Sequence, residues 1–293
     1  MSDRGFLSSL RYLFADFIGE EDDTPPFLPE GLPEALTDVA SDAIHLLIDY
    51  QSADYAQLYV DRLRRFIGRQ GVEEAMLIEI ARLMAARMCY EDAIRIAQLK
   101  LAELDETSGA QAGSVDIRKF RVDELVSALP AVIAEYLIDA LVWAGWAHKR
   151  ISIRFSTASR VGIRRLKVEA GLKRWRRYSV RYAKERQWVE RWLHMISRSL
   201  VKQPAAAGEI VQTATMIEGY GDVYRQGMAD WNAIIDGLAK PTFDGVLALP
   251  DLGAAVAEAR AAALPDPQQT ALKRKIAEIR ARVPAAGSSA AAG

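Results

Sequence analysis

The amino-acid sequence is poor in residues that hold metal ions and clusters. Its 293 residues include one cysteine, Cys89, and three histidines, His45, His148 and His194. One thiol cannot close a disulfide within the chain, and it cannot supply the cysteine ligands of an iron–sulfur cluster or a four-cysteine zinc site. We therefore expect this chain to bind no metal, no cluster and no cofactor by itself.

A net charge and a long uninterrupted hydrophobic run are also missing. Lysine and arginine number 38 against 39 acidic residues, which removes the whole-chain argument for a nucleic-acid-binding protein. The longest apolar stretch, residues 125–146, contains Pro130, Glu135 and Asp139. Two carboxylates near the middle of such a span would be costly in lipid. We interpret this stretch as a buried helix and expect no membrane partner.

The N-terminus lacks the continuous apolar core that a signal peptide needs, because Arg11 and Asp16 interrupt residues 1–18. Four apolar residues still recur there at helical spacing: Phe6, Leu10, Leu13 and Phe17. We predict an amphipathic helix over residues 1–20 that docks on this protein or on a partner, with binding to a membrane surface as the alternative. The expected compartment is the cytoplasm.

Helical periodicity recurs along the chain, whereas the alternation typical of strands appears only in residues 151–155, ISIRF. One strand cannot form a sheet, so the predicted class is all-α, an irregular multi-helix bundle with at most one short strand or hairpin. The predicted organisation is an N-terminal helix at 1–20, a proline-rich connector at 21–37, a main helical domain at 38–240, peripheral C-terminal helices at 241–283 and a disordered tail at 284–293.

Capping residues and periodicity indicate where individual helices begin and end. A long helix is predicted to start after Asp38 or Ser41 and to end near residue 67. Residues 71–104 are predicted to form one or two helices, and residues 105–120 a loop. Further helices are predicted at 121–148, 158–171, 175–203, 207–218 and 223–238, followed by two short helices, one of which aligns Leu272, Ile276 and Ile279.

Charge is balanced in total but not along the chain. Residues 15–54 hold eleven acidic side chains and no lysine or arginine, whereas residues 149–186 hold fourteen basic side chains and two acidic ones. The basic segment has three interpretations. Its arginines cover hydrophobic helices and pair with the acidic segment, or they form a docking face for an acidic protein or a phosphate ligand, or they bind RNA.

The docking interpretation makes a specific prediction. Arg174, Arg177 and Arg181 are spaced i, i+3 and i+7, so a helix would present all three on one outward face, next to Tyr182. Aromatic residues interleave with these arginines in a pattern that would also suit base stacking. The segment contains no motif of a known RNA-binding module, so nucleic acid is the least favoured partner.

Four segments carry a resemblance to a known family. In chain order they are YQSADYAQLYVDRLRRF at 50–66, RMCYEDAIRIAQLK at 87–100, KRWRRYSVRYAKERQWVERWL at 173–193 and IEGYGDVYRQGMADW at 217–231. In this order and at these separations they resemble the C-terminal helical region of the beta-type subunits of indolepyruvate:ferredoxin oxidoreductase. In that family the region lies beyond the gamma-type domain of the 2-oxoacid oxidoreductases. The resemblance covers residues 43–240.

The resemblance implies a part in the oxidation of aryl 2-oxoacids. Enzymes of that family convert aryl pyruvates to acyl-CoA with thiamine diphosphate and iron–sulfur clusters, and they pass electrons to ferredoxin. The family's thiamine–magnesium signature, cysteine ladders and gamma-type domain are not among these 293 residues. By resemblance we expect thiamine diphosphate and iron–sulfur clusters on partner chains only, and no activity from this chain alone.

The function that the resemblance implies is a non-catalytic accessory or assembly subunit of an indolepyruvate:ferredoxin oxidoreductase. Its expected partners are the catalytic subunits of the 2-oxoacid oxidoreductase, and ferredoxin as a further partner. The alternative is a free-standing helical scaffold that binds other proteins and has no connection with 2-oxoacid oxidation.

The sequence GYGD, which begins at Gly219, has two interpretations. As a turn, Gly219 would end one helix, Gly221 would form the tight turn and Asp222 would cap the next helix. As a binding site, Gly219, Tyr220 and Gly221 would expose main-chain amides to a phosphate or carboxylate, with help from Arg225. Asp222 would repel such an anion, which favours the turn.

A pocket for an aromatic acid is another site hypothesis. The residues that would line it are Tyr55, Tyr59, Arg62, Tyr90 and Arg95. The competing interpretation is that these tyrosines are packing residues with one wet end, which is the more frequent role of such side chains.

Two smaller features are expected to be structural. Cys89 lies between Met88 and Tyr90 in an apolar helical stretch, so we predict a buried, unreactive thiol. Glu190 and His194 are four residues apart and could share a metal ion. In the absence of a second such pair, we expect a hydrogen-bonded surface histidine instead.

Overall fold

The computed structural model of the protein describes residues 24–29, 32–106, 114–129 and 131–283. Within these ranges the chain is mainly helical, with a two-stranded antiparallel sheet. The predicted class, an irregular helical bundle with at most one hairpin, is therefore confirmed. The predicted N-terminal helix at 1–20, part of the connector at 21–37 and the predicted tail at 284–293 lie outside the described residues.

The helices and strands follow one another in an irregular order. The helices are α1 (Glu34–Tyr50), α2 (Ala53–Arg64), α3 (Glu74–Met88), α4 (Ala93–Glu106), α5 (Val122–Ser127), α6 (Ala131–Trp143), α7 (Arg160–Gly171), α8 (Val180–Lys202), α9 (Ala207–Gln212), α10 (Gly221–Ile234), α11 (Lys240–Phe243), α12 (Leu252–Ala261) and α13 (Thr270–Ala281). The strands are β1 (Val115–Arg121) and β2 (Arg150–Ser156). Short 3₁₀ segments are Leu172–Tyr178, Pro204–Ala206 and Thr213–Met216, and a π-helical turn, Ile235–Ala239, continues α10.

The long helix predicted from residue 38 or 41 to residue 67 is two helices. α1 begins at Glu34, earlier than predicted, and the chain leaves the helix before α2 begins at Ala53. Ser52 Oγ accepts a hydrogen bond from the main-chain N–H of Tyr55 at 3.3 Å, as a capping serine does. One local cap thus divides a stretch whose periodicity by itself predicts a continuous helix.

Residues 71–104 form two helices, one of the two outcomes predicted. Asp92 stands between them, and its Oδ1 accepts a hydrogen bond from the main-chain N–H of Arg95 at 2.6 Å. This carboxylate supplies one of the acceptors that the first turn of α4 needs, and its negative charge lies at the favourable end of the helix dipole.

The antiparallel pair of β1 and β2, which we call the hairpin although α5 and α6 lie between its strands in the chain, corrects the loop predicted at 105–120. β1 pairs antiparallel with β2 from Val115 opposite Ser156 to Arg121 opposite Arg150. Phe120 and Phe155 are buried, with ring centres 6.3 Å apart. The loop prediction is wrong for 115–120. The alternation that marks a strand is not visible there in the sequence, because most of these residues are charged or exposed.

The predicted helix at 121–148 is divided into α5 and α6, and its buried character is wrong. Tyr136, Val142 and Trp143 are exposed in α6, and Trp146 is exposed just beyond it. A short helix that is apolar on nearly all sides but packs along only one side must leave apolar residues in contact with solvent. Among the residues that the structure describes, no helix is both long enough and apolar enough to cross a membrane.

The helix predicted at 175–203 begins later than expected. Residues 172–178 form the 3₁₀ segment, and Ser179 Oγ accepts a hydrogen bond from the main-chain N–H of Tyr182 as α8 starts. Near the C-terminus the prediction is confirmed: Leu272, Ile276 and Ile279 are buried along one side of α13.

The chain divides into two compact units, each built from separated segments. Among the described residues, the first unit comprises 24–28, 41–61, 88–106, 114–129 and 131–187. The second comprises 29, 32–40, 62–87 and 188–283. These boundaries do not coincide with those predicted at residues 38 and 240, because distant segments of sequence combine within each unit.

Candidate functional site

Arg176 lies buried in the first unit. Its Nε and Nη2 donate to Asp92 Oδ2 and Oδ1 at 2.7 and 2.8 Å, a two-point pairing that fits the planar guanidinium. Its Nη1 donates to the main-chain carbonyl of Tyr50, and the guanidinium carbon lies 3.8 Å from the centre of the Tyr50 ring. Burial by itself would lower the pKa of Arg176, but Tyr50 and Asp92 outweigh it and raise that pKa. The arginine therefore stays charged in the interior.

Tyrosines surround this ion pair. Tyr50 donates its hydroxyl hydrogen to the carbonyl of Tyr90 at 3.1 Å, and Tyr55 donates to the carbonyl of Met88 at 2.9 Å. The Tyr50 ring lies 5.7 Å from that of Tyr90, and Tyr55 lies 5.7 Å from Tyr182. Burial raises the pKa of Tyr50 and of Tyr90, so both side chains remain neutral. Main-chain carbonyls thus accept the hydroxyl groups that the pocket hypothesis would direct at an aromatic acid.

The other residues of the predicted pocket are buried or paired with carboxylates. Tyr59 is buried, and this burial raises its pKa. Arg95 pairs with Asp49 at 2.9 Å, and Arg62 pairs with Glu190 at 2.9 Å. The geometry therefore supports the packing interpretation of these tyrosines.

Arg174, Arg177 and Arg181 do not share a helix face. The first two lie in the 3₁₀ segment that precedes α8, and Arg181 lies in α8 itself. Arg181 is mostly buried, forms an ion pair with Glu185 at 3.5 Å and lies 5.1 Å from the centre of the Tyr90 ring. The predicted outward-facing triad is wrong, because α-helical spacing does not continue from the 3₁₀ segment into α8.

A second arginine–carboxylate group lies in the second unit. Arg62 Nε donates to Glu190 Oε1 at 2.9 Å, and Arg65 Nη1 donates to Glu190 Oε2 at 2.6 Å. Partial burial would raise the pKa of Glu190, but the two arginines outweigh it and hold that pKa below its usual value. His194 is exposed. The carboxylate that could have shared a metal ion with His194 is instead bound by arginines.

Three tryptophans form the core of the second unit. Trp188 stacks on Trp192 with ring centres 6.1 Å apart and meets Trp231 edge to face at 5.2 Å. Trp231 Nε1 donates to Thr213 Oγ1 at 3.0 Å, which in turn donates to the carbonyl of Ile210 at 2.7 Å. These hydrogen bonds satisfy polar atoms that would otherwise be buried without a partner.

The GYGD sequence forms a turn. Gly219 and Gly221 have φ of 66° and 67°, the left-handed region that glycine adopts without strain. α10 begins at Gly221 with Tyr220 as its capping residue, so the predicted cap at Asp222 is wrong by two positions. Asp222 forms an ion pair with Arg225 at 2.5 Å. The turn interpretation is therefore supported, and the arginine proposed for an anion already contacts a carboxylate of its own helix.

An exposed aromatic and basic surface lies on the first unit. Trp143, at the end of α6, is 91% exposed, and Tyr136 and Trp146 are exposed as well. Lys149 Nζ lies 4.3 Å from the centre of the Trp146 ring. The next residue, Arg150, begins β2 and is exposed.

The hairpin extends this surface. Arg150 and Arg154 are four residues apart in β2. Alternate side chains of a strand lie on the same face, so both lie on one face of the sheet, and both are exposed. Ile117, which pairs with Arg154 across the hairpin, is exposed beside it. We define the α6–hairpin surface by the following residues: Tyr136, Trp143, Trp146, Lys149, Arg150 and Arg154.

Sequence reasoning missed the aromatic part of this surface. The signal was present in the apolar stretch 125–146, but hydropathy alone assigns such a stretch to the core. Its basic part lies at the start of the basic segment 149–186. Within that segment Arg165 pairs with Glu169 at 2.7 Å, and Arg176 pairs with the distant Asp92.

The remaining titratable candidate is Cys89. It is partly buried rather than fully so, and burial raises the pKa of its thiol to about 12. Within the described ranges, no group of three or more His, Cys, Asp and Glu residues has the arrangement of a metal site.

Together these features describe a mostly helical protein in which each of two units contains a buried arginine paired with a carboxylate. A family of unknown function, DUF6537, matches residues 36–237, which is more than half of the chain, and the protein belongs to that family. The matched range contains both arginine–carboxylate groups, the tryptophan core and the α6–hairpin surface. No curated protein and no solved structure shows significant similarity to the chain.

Proposed function

We propose that the protein is a non-catalytic accessory or assembly subunit of an aryl-2-oxoacid:ferredoxin oxidoreductase. It docks the catalytic chains or ferredoxin, and thiamine diphosphate and iron–sulfur clusters reside on the partner chains. The proposal rests on the resemblance of four sequence segments and on one structural observation, the α6–hairpin surface.

The four segments contribute residues that pack inside each unit. Tyr50, Asp92 and Arg176, from the first three segments, meet in the first unit. Trp188 and Trp231, from the last two, meet in the second. Their order and spacing therefore have a physical meaning, since each segment supplies partners for another. These contacts support the use of the four segments as evidence of a family resemblance. The contacts themselves stabilise the fold.

The α6–hairpin surface carries the docking proposal. Exposed tryptophan, tyrosine and arginine are the residues most enriched at the centres of protein interfaces. An exposed apolar helix is a stability and aggregation liability unless it is covered in use. Lys149, Arg150 and Arg154 beside it favour a partner of negative charge. Ferredoxins are acidic, and the enzymes that the four segments resemble reduce them.

Co-expression with the thiamine- and cluster-binding chains of such an oxidoreductase tests the function. We expect a tagged form of this chain to purify with those chains as a brown complex, with absorbance from iron–sulfur clusters. A colourless assembly of this chain alone, in the presence of folded catalytic chains, would contradict the proposal and favour the free-standing scaffold.

The docking surface is tested with two variants that each reverse the charge of three exposed cations. Lys149→Glu, Arg150→Glu and Arg154→Glu together should slow association with the partner. Rising salt should weaken binding by the parent protein but not by this variant, because salt screens attraction in the first and repulsion in the second. The matched control reverses three exposed cations of α7: Arg160→Glu, Arg164→Glu and Lys167→Glu. Trp143→Ser should mainly speed dissociation. Equal weakening by both triple variants would exclude a specific role for this surface, because only overall charge would then matter.

A further inference from the structure

The second unit contains a cleft of about 330 Å³ beside α10 that the docking function does not use. Its walls are mainly apolar and include Met216, Val223, Leu264 and Pro265. Val223 and Leu264 are exposed at its rim. A mainly apolar cleft of this volume with a few polar groups has the general form of a small-molecule site.

The carboxylate of Asp230 lines this cleft, although the residue is only 5% exposed. Gln226 Nε2 and Gln269 Nε2 both donate to the same oxygen, Oδ1, at 2.8 Å. Both donors are neutral amides. In the part of the chain that the structure describes, Asp230 forms no ion pair with a lysine, arginine or histidine. A buried carboxylate without a cation is unfavourable unless a ligand or solvent neutralises it.

Arg260 also lines the cleft but does not neutralise Asp230. Its Nη1 donates to Glu209 Oε2 at 2.7 Å, and its Nη2 is 3.4 Å from Thr215 Oγ1. The Arg260–Glu209 pair is neutral as a whole. Glu209 thus takes up the charge of Arg260, and Asp230 is the carboxylate that lines the cleft without a cation paired to it.

The backbone around the cleft is held in an unusual conformation. Gln269 has φ of 56°, in the left-handed region, and among the described residues it is the one non-glycine with positive φ. Its side chain is one of the two that hold Asp230. Gly227 lines the cleft where α10 crosses the turn before it, and a Cβ there would lie 2.1 Å from the carbonyl oxygen of Met216. Strained backbone of this kind concentrates at ligand sites, because the surrounding structure must maintain it.

We propose that the cleft binds a small organic cation, a protonated primary amine with a short hydrocarbon chain. The ammonium group bonds Asp230, and the hydrocarbon lies between Met216, Val223 and Leu264. Primary amines fit better than quaternary ammonium compounds, since a carboxylate held by hydrogen bonds calls for a donor and the described walls of the cleft contain no aromatic ring to take a quaternary group.

Titration calorimetry with n-hexylamine hydrochloride tests this site, with 1-hexanol as the neutral probe of equal length. We expect hexylammonium to bind the intact protein more tightly than hexanol. Asp230→Asn keeps an oxygen for Gln226 and Gln269 but removes the charge, so it should weaken hexylammonium binding about 10- to 100-fold and leave hexanol binding unchanged. Asp236→Asn, an exposed carboxylate beyond the end of α10, is the matched control and should bind like the parent.

The outcomes separate the site from general effects of charge and folding. A loss of hexylammonium binding in Asp230→Asn with an unchanged far-ultraviolet spectrum and melting temperature supports it. Equal binding by Asp230→Asn and the parent protein overturns the proposal, as does the absence of binding to the parent protein. Because none of these measurements involves a partner protein, failure here leaves the docking proposal standing, and the reverse also holds.

Discussion

The two units contain arginines of equal burial whose partners differ. Arg176 and Arg62 each expose 1% of their side chains. The partner of Arg176, Asp92, exposes 7% of its side chain, whereas the partner of Arg62, Glu190, exposes 37%. The first ion pair is therefore enclosed, and the second opens to solvent on the side of its carboxylate.

This difference shows what a buried arginine requires. Arg176 has a two-point contact with Asp92, a main-chain carbonyl and a tyrosine ring, so its hydrogen-bonding groups and its charge are met inside the first unit. Arg62 shares Glu190 with Arg65, and water can still solvate the carboxylate. Removal of Arg176 should therefore cost more stability than removal of Arg62, since only Asp92 would be left buried without a cation.

The largest expected effect is that of Arg176→Met. It leaves Asp92 buried and unpaired, so the free energy of unfolding should fall by about 3–5 kcal/mol. Chemical denaturation followed by circular dichroism measures it. The double variant Arg176→Met with Asp92→Asn should recover part of the loss, because the buried charge is gone and an asparagine can still cap α4. A loss below about 1 kcal/mol in the single variant would contradict the enclosed ion pair.

Arg62→Met should cost less, about 1–2 kcal/mol, because Glu190 remains hydrated and keeps Arg65. The same denaturation measurement applies, and Arg82→Met serves as the control, since Arg82 is an exposed cation paired with Glu79 within α3. A loss as large as that of Arg176→Met would remove the contrast between the two units and show that the guanidinium, not its partner, sets the cost.

Acid should weaken the second unit through Glu190. Its pKa is lower in the folded state than the usual 4.5. Its ion pairs therefore stabilise the fold fully above about pH 4.5, and this stabilisation is lost as pH falls through the folded pKa. Glu190→Gln should remove this contribution and flatten the stability profile below about pH 4.5, by less than about 1 kcal/mol because the carboxylate is partly exposed. Melting temperatures of both proteins from pH 3 to 7 test this, and parallel profiles would exclude Glu190 as a source of acid sensitivity.

The smallest expected effect is a change in the rate at which the Cys89 thiol is labelled. With a thiol pKa of about 12, it should react slowly with iodoacetamide at pH 8 in the native protein. Because Cys89 lies in the first unit, Arg176→Met should speed its labelling more than Arg62→Met does. Mass spectrometry of timed samples measures the rates. Equal acceleration by both variants would indicate that the protein opens as a whole rather than unit by unit.

Hydrophobic periodicity predicted most helices because local spacing determines which side of a helix can be buried. α7, α12 and α13 follow that pattern, and the buried stripe of α13 matches its predicted residues. Two of the errors lie where the backbone leaves the α-helical path. Ser52 separates α1 from α2, and the 3₁₀ segment before α8 interrupts the helical spacing of the basic segment.

The candidate sites were predicted less well than the helices. The tyrosines and arginines that suggested a pocket are the right residues for a polar cluster, but their partners are distant in sequence. Asp92 pairs with Arg176, 84 positions away, and no local pattern indicates that contact. Asp230 had no signal in the sequence, since the two glutamines that hold it lie four and thirty-nine positions from it.

Local spacing and composition were enough to predict the helical class, a strand-like stretch at 151–155 and the shortage of metal-binding residues, whereas they missed the partner strand β1. Tertiary structure decided which charges are enclosed and which are exposed. Arg176 and Arg150 belong to the same basic segment, but one is buried against Asp92 and the other is exposed at the start of β2. Burial depends on contacts between segments far apart in the chain, and a charge pattern read along one segment contains no information about them.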